Sequence, residues 1–237
     1  MRFLLQMGYW TVKILRSLFP DTPYSNESGG DPQVIPELTY EEYLNFHRQY
    51  YHPSNSYIYL YGDMDVVEKL NWLDQEYLSH YDKIEVDSSI PEQKPFDAPK
   101  EHEIPYSISS TDSTENNTYL SCNWAVGTNL DRELYIAFDI LDYALLSTQG
   151  APVKQALLDA GIGTDIYGGY DSSSYQPIFS IVAKHANASE QKRFEQVIRD
   201  VLQEQVKNGD HKKTLLAAIN GSEFKSVKQI SDASRRG

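Results

Sequence analysis

The sequence is poor in cysteine and in positive charge, and it has no long uninterrupted apolar run. Its single cysteine, Cys122, excludes an internal disulfide and a zinc site built from several thiolates. Acidic residues outnumber basic residues by 34 to 21, which gives a formal net charge of −13. Such a surface would repel a polyanion over most of its area, so we expect no nucleic-acid partner.

The most apolar stretch near the N-terminus, residues 3–18, is interrupted by Lys13 and Arg16. It is shorter than the roughly 20 residues that cross a bilayer. It also lacks the small-residue cleavage site of a secretory signal. We therefore expect no membrane partner and a cytoplasmic location.

The remaining composition is that of a globular chain. Hydrophobic residues make up 40% and charged residues 23%, which is enough apolar material for a core. The 18 tyrosines are the unusual feature. Because the tyrosine ring is amphipathic, we expect them at half-buried edges, with a peptide-binding surface as the second choice.

Helix and strand signals alternate in the first 84 residues. Thr39 and Glu42 have the spacing of a capping box, which predicts a helix over residues 40–50. The aromatic and aliphatic run 57–61, closed by Gly62, predicts a strand. Asp65 is expected to cap a second helix that ends near residue 78.

Four prolines lie in the polar stretch 85–105, which predicts an extended linker between two domains. We divide the chain into residues 1–84, the linker 85–105, and a second domain, 106–237, that is incomplete at its C-terminal end. In that domain the pattern predicts strands over residues 118–126, 164–170 and 175–184, and helices over 131–146, 152–160, 189–207 and 211–230. The fold class is therefore α+β, with antiparallel sheets and long helices packed on one face.

The candidate metal ligands and nucleophile are weak. His47 and His52 are five residues apart, a spacing that points the two rings to different sides of a helix, so both are interpreted as surface or helix-end residues. Cys122 lies in an apolar strand pattern, where we expect a buried, inert thiol rather than a nucleophile.

The glycine-rich strings are equally incomplete. Gly161-Ile-Gly163 begins like a dinucleotide-binding motif, but Ile166 stands at the third glycine position and the run passes from helix to strand. Gly163 and Gly168 have phosphate-loop spacing without the lysine that should follow. We therefore interpret Gly161, Gly163 and Gly168 as turn glycines. Ser28-Gly-Gly-Asp-Pro32 fits an anion-binding nest or a plain loop, and the plain loop is preferred. We predict no catalytic, cofactor-binding or metal-ligating residue in this chain.

Nine strings, taken in order, carry a family resemblance. Those in the first part are Leu18-Phe-Pro-Asp-Thr-Pro-Tyr24, Ser28-Gly-Gly-Asp-Pro-Gln-Val-Ile-Pro36, Leu38-Thr-Tyr-Glu-Glu-Tyr43, Phe46-His-Arg-Gln-Tyr-Tyr-His-Pro-Ser-Asn-Ser56 and Tyr61-Gly-Asp63. Those in the second part are Cys122-Asn-Trp124, Ala151-Pro-Val-Lys-Gln-Ala-Leu-Leu-Asp-Ala-Gly161, Tyr167-Gly-Gly169 and Gln176-Pro-Ile-Phe-Ser180. Together they resemble the presequence-protease branch of the insulinase-like (pitrilysin) zinc metallopeptidases.

The resemblance implies a peptidase in which an inverted His-x-x-Glu-His helix and a more distant Glu bind zinc. Those positions would lie upstream of the matching region. Residues 1–84 would then be the end of a catalytic-type domain without its zinc motif, and 106–237 a non-catalytic family domain. No cofactor is expected in this chain, whereas zinc is expected in the full-length family protein. Family members enclose peptides in a chamber and add substrate as a strand to a sheet edge, so this chain would supply part of one wall.

Two functions follow as hypotheses. The first is a non-catalytic segment of a presequence-protease-type zinc metalloendopeptidase that degrades short unfolded peptides, with the remainder of the peptidase chain as its partner. The alternative is a stand-alone peptide-binding or assembly module without catalysis. An intact enzyme with an unrecognised site is the least favoured. The unpaired strand at residues 57–61 further predicts self-association of the chain.

Overall fold

The chain divides into two compact units in a computed structural model that describes residues 2–209, 215–221 and 223. The sheet unit comprises the chain up to Ser25 and from Glu92 onward, and the inserted unit comprises Asn26–Pro91. The domain limits given above remain a prediction. In the observed division, the first 25 residues group with the chain from Glu92 onward, which begins inside the predicted linker.

The helices and strands follow one another in an α+β order. In chain order they are α1 (Arg2–Leu18), α2 (Tyr40–Tyr50), α3 (Val66–Glu76), β1 (Thr118–Ala125), α4 (Arg132–Asp142), α5 (Pro152–Asp159), β2 (Asp165–Asp171), β3 (Ile178–Ala186) and α6 (Gln191–Asn208). Residues 215–221 are also helical, and the rest of the helix predicted over 211–230 lies outside the described residues. No helix in the described part of the chain is both long and apolar enough to cross a membrane.

Helix α1 has no counterpart among the sequence predictions. No Ser, Thr, Asp or Asn precedes residue 2 to mark a helix start, and Lys13 and Arg16 interrupt the apolar run. The apolar residues that remain, such as Trp10 and Ile14, recur at four-residue spacing, which is the helical signal that was available.

The three strands form an antiparallel sheet in the order β1-β3-β2. They confirm the predicted strands, with ends shifted by up to three residues. The register places Cys122 opposite Ile181 and Ile181 opposite Gly168, so alternate residues of the three strands share one face. The fold class is therefore α+β, as the sequence predicts.

The core lies between that face of the sheet and helices α5 and α6. Ile166 and Ile181 from the strands pack in one buried cluster with Leu157 from α5 and Phe194 from α6. Each fully buried side chain of this kind stabilises the fold by about 1.5–3 kcal/mol. Burial on this face explains why the helices lie on one side of the sheet.

Helix α4 begins where the sequence predicts and ends earlier. The Asp131 carboxylate accepts a hydrogen bond from the backbone N–H of Leu134 at 3.0 Å, which is an N-cap. The predicted helix extends to residue 146, but the α-helix ends at Asp142 and a π-helical turn, Tyr143–Ser147, follows. The Asp142 carboxylate accepts hydrogen bonds from the Ser147 hydroxyl and from the Tyr170 N–H, both at 3.2 Å, so the wider turn is tied to β2.

The inserted unit contains α2 and α3, and both start as predicted. The Thr39 hydroxyl oxygen accepts from the Glu42 N–H at 3.2 Å, and the Glu42 carboxylate accepts from the Thr39 N–H at 2.8 Å, which completes the capping box. The Asp65 carboxylate caps α3 by accepting from the Glu68 N–H at 3.0 Å. These caps are local, so the sequence alone specifies them.

The strand predicted over residues 57–61 is wrong, because no strand forms there. A strand requires a neighbouring backbone to complete its hydrogen bonds. Within the described residues, no backbone hydrogen bond joins residues 57–60 to another segment. The propensity of the run is that of a strand, but in the described part of the chain it belongs to no strand ladder.

Candidate functional site

A groove of about 2000 Å³ follows the outer edge of β1 in the sheet unit. The order β1-β3-β2 leaves β1 outermost, and no second strand in the described chain pairs with its free side. All 8 residues of β1, from both faces of the sheet, line the groove. The groove therefore runs along the strand edge, where backbone N–H and C=O groups are available to an extended chain.

Two helices give the groove apolar walls. Each carries a stripe at four-residue spacing, which keeps successive side chains on one helical face. The lining stripes are Trp10, Ile14 and Leu18 from α1, and Phe194, Ile198 and Leu202 from α6. The sequence reasoning missed the α1 wall, although the spacing of its apolar residues was a usable signal.

The charges around the groove are predominantly negative. Five carboxylates and three permanent cations line it, namely Glu92, Asp97, Glu101, Glu103 and Glu195 against Lys94, Lys100 and Arg199. This excess has the same sign as the net charge of the whole chain. The groove therefore favours a neutral or basic occupant over an acidic one.

Cys122 lies half-buried in the groove, and its thiol is not nucleophilic at neutral pH. Burial, and secondarily the nearby Glu195 carboxylate, raises the pKa of its thiol to about 11, while Arg199 acts in the opposite direction. A thiol with this pKa is protonated at neutral pH, and the thiolate is the nucleophilic form. The environment of Cys122 does not suit nucleophilic catalysis.

The segment before β1 is fixed to the start of that strand by Tyr106. Its hydroxyl donates to the Asn117 side-chain oxygen at 2.8 Å and also lies against the Asn117 carbonyl oxygen. Its ring meets the Tyr119 ring edge-on, with centroids 5.8 Å apart. Burial, and secondarily Tyr119, raises the pKa of Tyr106, so its hydroxyl remains a donor at neutral pH.

The two histidines considered as ligands are engaged by their own neighbours. The His47 ring stacks on Tyr51, with centroids 4.8 Å apart and planes at 11°. The Nδ1 atom of His52 accepts a hydrogen bond from the Ser54 N–H at 3.1 Å, and its ring meets Tyr81 edge-on. Among the described residues, no three His, Cys, Asp or Glu side chains come together as a metal site. The absence of ligands from this chain remains a prediction.

Gly161 and Gly163 lie in turns, as predicted, whereas the interpretation of Gly168 as a turn glycine is wrong, because Gly168 lies within β2 and pairs with Ile181. Gly161 and Gly163 have positive φ angles, of 69° and 67°, between α5 and β2. A Cβ atom at Gly163 would lie 2.7 Å from the Lys184 carbonyl oxygen, so this glycine permits close backbone packing. In the Ser28-Gly-Gly-Asp-Pro32 loop, the Gly30 N–H already donates to the Glu27 carbonyl at 3.0 Å.

Comparison with known proteins decides the family. Residues 37–221 match the family described as the peptidase M16 inactive domain. The chain belongs to this family. It is similar to protein HypA of Clostridium perfringens, with 43% identity over 212 residues, which are 90% of this chain and 22% of HypA. It is also similar to presequence protease 1 of Arabidopsis thaliana, with 34% identity over 213 residues, or 88% of this chain and 20% of that protein. The M16 chain thus spans about one fifth of the length of these relatives.

Solved structures share the fold. A crystal structure of a peptidase M16 inactive domain from Pseudomonas fluorescens superimposes with a TM-score of 0.59 at 20% identity, covering 92% of this chain and 50% of that one. A protease from Helicobacter pylori gives a TM-score of 0.57 at 14% identity, covering 96% and 58%. The insulinase-like resemblance is confirmed, because the chain belongs to the peptidase M16 inactive domain family and is similar to segments of presequence proteases.

The expected cytoplasmic location is wrong. The relatives from Arabidopsis thaliana and Mus musculus are named as chloroplastic/mitochondrial and mitochondrial presequence proteases, and HypA is a bacterial protein. The expectation was based on the lack of an export signal in the sequence. The chain, however, spans only about a fifth of the length of these relatives. A missing signal in such a segment does not determine a compartment.

Proposed function

We propose that this chain is a non-catalytic segment of a zinc metalloendopeptidase of the presequence-protease type, which degrades short unfolded peptides. The segment contributes part of the wall of a peptide chamber and packs against the remainder of the peptidase. The observation that carries the proposal is the match to the M16 inactive domain over residues 37–221, combined with the likeness to named presequence proteases.

The groove along β1 supports the wall role. An extended peptide can use the backbone groups of a free strand edge for affinity and neighbouring apolar side chains for selection. The groove offers both, with β1 on one side and apolar stripes from α1 and α6 on the others. Cys122 adds no chemistry at neutral pH, which suits a surface that holds peptide and does not cleave it.

The test uses the reading frame that surrounds this chain in its source genome, expressed as one polypeptide and assayed with an unstructured peptide. We expect zinc-dependent cleavage and an in-frame His-x-x-Glu-His upstream of residue 1. Replacing Ala125, an exposed groove residue at the end of β1, by Arg should raise KM more than it changes kcat. The matched control is Gln203→Arg on the exposed face of α6, which should leave both constants unchanged.

Two results would contradict the proposal. One is a surrounding frame without the zinc motif and without zinc-dependent cleavage. The other is an equal effect of the Ala125 and Gln203 variants, which would show that the groove takes no part in holding substrate.

The same groove favours a second candidate function, a stand-alone peptide-binding module. In that case the isolated chain should bind an unstructured basic peptide with micromolar affinity. Trp10 and Trp124 line the groove, so binding would change tryptophan fluorescence. An unchanged signal up to millimolar peptide, together with no shift in sedimentation, would exclude this module.

A further inference from the structure

The antiparallel sheet has two outer edges, one on β1 and one on β2. Val126, just after β1, donates its N–H to the Pro177 carbonyl oxygen at 2.8 Å. Because successive residues alternate in direction, the odd-numbered residues of β3 point their backbone groups to β1 and the even-numbered ones to β2. On β2, Gly169 pairs with Ser180, so the even-numbered residues Gly168 and Tyr170 present their N–H and C=O groups to the outer side.

The Asp142 carboxylate occupies one of these outward donors. The Tyr170 N–H donates to Asp142 Oδ2 at 3.2 Å. The other carboxylate oxygen, Oδ1, accepts from the Ser147 hydroxyl at 3.2 Å, and Ser147 is the last residue of the π-helical turn. Both oxygens of this half-buried carboxylate are therefore held. Oδ2 lies where a strand added to β2 would place a carbonyl oxygen.

Gly169 gives the carboxylate room at this edge. Its φ is 149°, and a Cβ atom there would lie 2.8 Å from Asp142 Oδ2. A larger residue at this position would push the carboxylate away from the Tyr170 N–H. The glycine in β2 and the aspartate at the end of α4 therefore act together.

A carboxylate at a strand edge opposes further pairing in two ways. It takes up the outward donor that an added strand would use, and its negative charge repels the carbonyl oxygens of that strand. Asp165 and Asp171, the exposed first and last residues of β2, place further negative charge at both ends of the same edge. Proteins use charged side chains on outer strands to prevent edge-to-edge pairing.

The edge of β1 has a different environment. Since Val126 points to β3, the alternate residues Ser121, Asn123 and Ala125, here called the outward residues of β1, direct their backbone groups to the free side. All three line the groove described above. The two edges of one sheet are therefore unequal, with a carboxylate on the backbone of β2 and a groove along β1.

We propose that Asp142 closes the β2 edge to strand addition and thereby leaves β1 as the edge available to an extended chain. Asp142 is a positioning residue in this role, because it directs a partner to one edge without contacting it. The closure of β2 does not depend on the peptidase function proposed above.

Amide hydrogen exchange of the full chain, with and without a peptide probe, tests both edges in one experiment. The probe is a synthetic peptide with the sequence of β3, residues 178–186, because β3 is the neighbour of both β1 and β2 within the sheet. In the wild type, the probe should slow exchange at the outward residues of β1. It should leave exchange at Gly168 and Tyr170 unchanged.

Asp142→Ala should open the second edge. Without the probe, the Tyr170 N–H should exchange about ten-fold faster than in the wild type, because a hydrogen bond to a charged group is lost. With the probe, exchange at Gly168 and Tyr170 should slow by a similar factor. A purely local structural role of Asp142 would speed exchange without the probe but would give no protection by the probe.

Glu133→Ala is the matched control, because it removes one carboxylate from the exposed first turn of α4. It should show wild-type exchange at Gly168 and Tyr170 with and without the probe. Ser147→Ala removes only the hydroxyl that holds Asp142 Oδ1, so its effect should have the same direction as that of Asp142→Ala and be smaller. This milder variant keeps the test valid if Asp142→Ala does not fold.

Two results would overturn the proposal. One is protection of Gly168 and Tyr170 by the probe in the wild type, which would show that the β2 edge is open. The other is a lack of protection at these residues by the probe in both Asp142→Ala and Ser147→Ala. Missing protection along β1, combined with the expected response of β2, would support the closure of β2 and contradict the role of the groove.

Discussion

The backbone of Gln93 and the side chain of Gln176 are joined by two hydrogen bonds, one in each direction. The Gln93 backbone N–H donates to Gln176 Oε1 at 2.6 Å, and Gln176 Nε2 donates to the Gln93 carbonyl oxygen at 3.3 Å. Both residues are buried. The Gln93 side chain also accepts from the Asp21 N–H at 2.9 Å and donates to the Asp21 carboxylate at 2.7 Å. The two chain positions that flank the inserted unit are thereby tied to the segment that leads into β3.

Gln176→Ala should lower the free energy of unfolding by about 1–3 kcal/mol, because it leaves the buried Gln93 N–H and C=O groups without partners. Urea denaturation measures the change. Gln203→Ala is the control, since Gln203 is exposed on α6, and it should alter the free energy by less than about 0.5 kcal/mol. Equal losses in the two variants would contradict a structural role for the Gln93–Gln176 contact.

Gly168→Ala should destabilise the sheet unit strongly. Gly168 has a φ of 155°, and a Cβ atom there would overlap the Ser180 carbonyl oxygen of the neighbouring strand. We expect a loss of more than about 2 kcal/mol in the free energy of unfolding, because backbone atoms must move apart. Gly29→Ala, with no atom within 4 Å of the new Cβ, is the control. A chain that tolerates both changes equally would be inconsistent with the close strand pairing.

Cys122 should make stability fall at alkaline pH. Burial raises its pKa from 9.0 to about 11. Between these values the unfolded chain loses the proton while the folded chain keeps it, so the free energy of unfolding decreases as pH rises, and below pH 9 the effect is absent. Because Cys122 is partly exposed, the decrease in the free energy of unfolding that its thiol causes is at most about 2 kcal/mol.

Urea unfolding of the wild type and of Cys122→Ser at about pH 8 and about pH 10.5 measures the contribution of this thiol. The tyrosines titrate in both chains, so their effect cancels in the comparison. The wild type should lose more stability than the variant over this interval. Parallel losses would show that the thiol has the same pKa folded and unfolded.

The isolated chain should bind no stoichiometric zinc at neutral pH and should not cleave unstructured peptides. No pair of histidines has ligand spacing, and no glutamate accompanies such a pair. Metal analysis after dialysis and a peptide cleavage assay check this expectation. One tightly held zinc ion per chain, with activity that a chelator removes, would refute it.

Limited proteolysis should cut first between residues 85 and 105. This stretch forms no helix or strand, and Lys100 is exposed within it. Exposed backbone without ladder hydrogen bonds is the preferred protease substrate. Early tryptic cleavage after Lys100, read by mass spectrometry, is the expected result, whereas first cuts inside α4 would contradict the proposed boundary.

Local signals in the sequence determined several elements of this chain. The capping box of Thr39 and Glu42 and the N-caps at Asp65 and Asp131 form within one helical turn, so their hydrogen bonds depend only on neighbouring residues. The three strands of the sheet unit were predictable for a related reason, because their apolar runs are bounded by turn residues. The family strings likewise lie in the sequence itself.

Tertiary structure decided whether those signals could be realised and where the groove lies. Residues 57–61 have strand propensity but form no strand, because a ladder needs a second chain segment at hydrogen-bonding distance. The order β1-β3-β2 leaves the edge of β1 open, and α1 and α6 come together beside it from opposite ends of the sequence. Burial of Gln93 depends on Asp21 and Gln176, which are distant along the chain. Such contacts follow from the packing of the whole sheet unit, and no short stretch of sequence contains them.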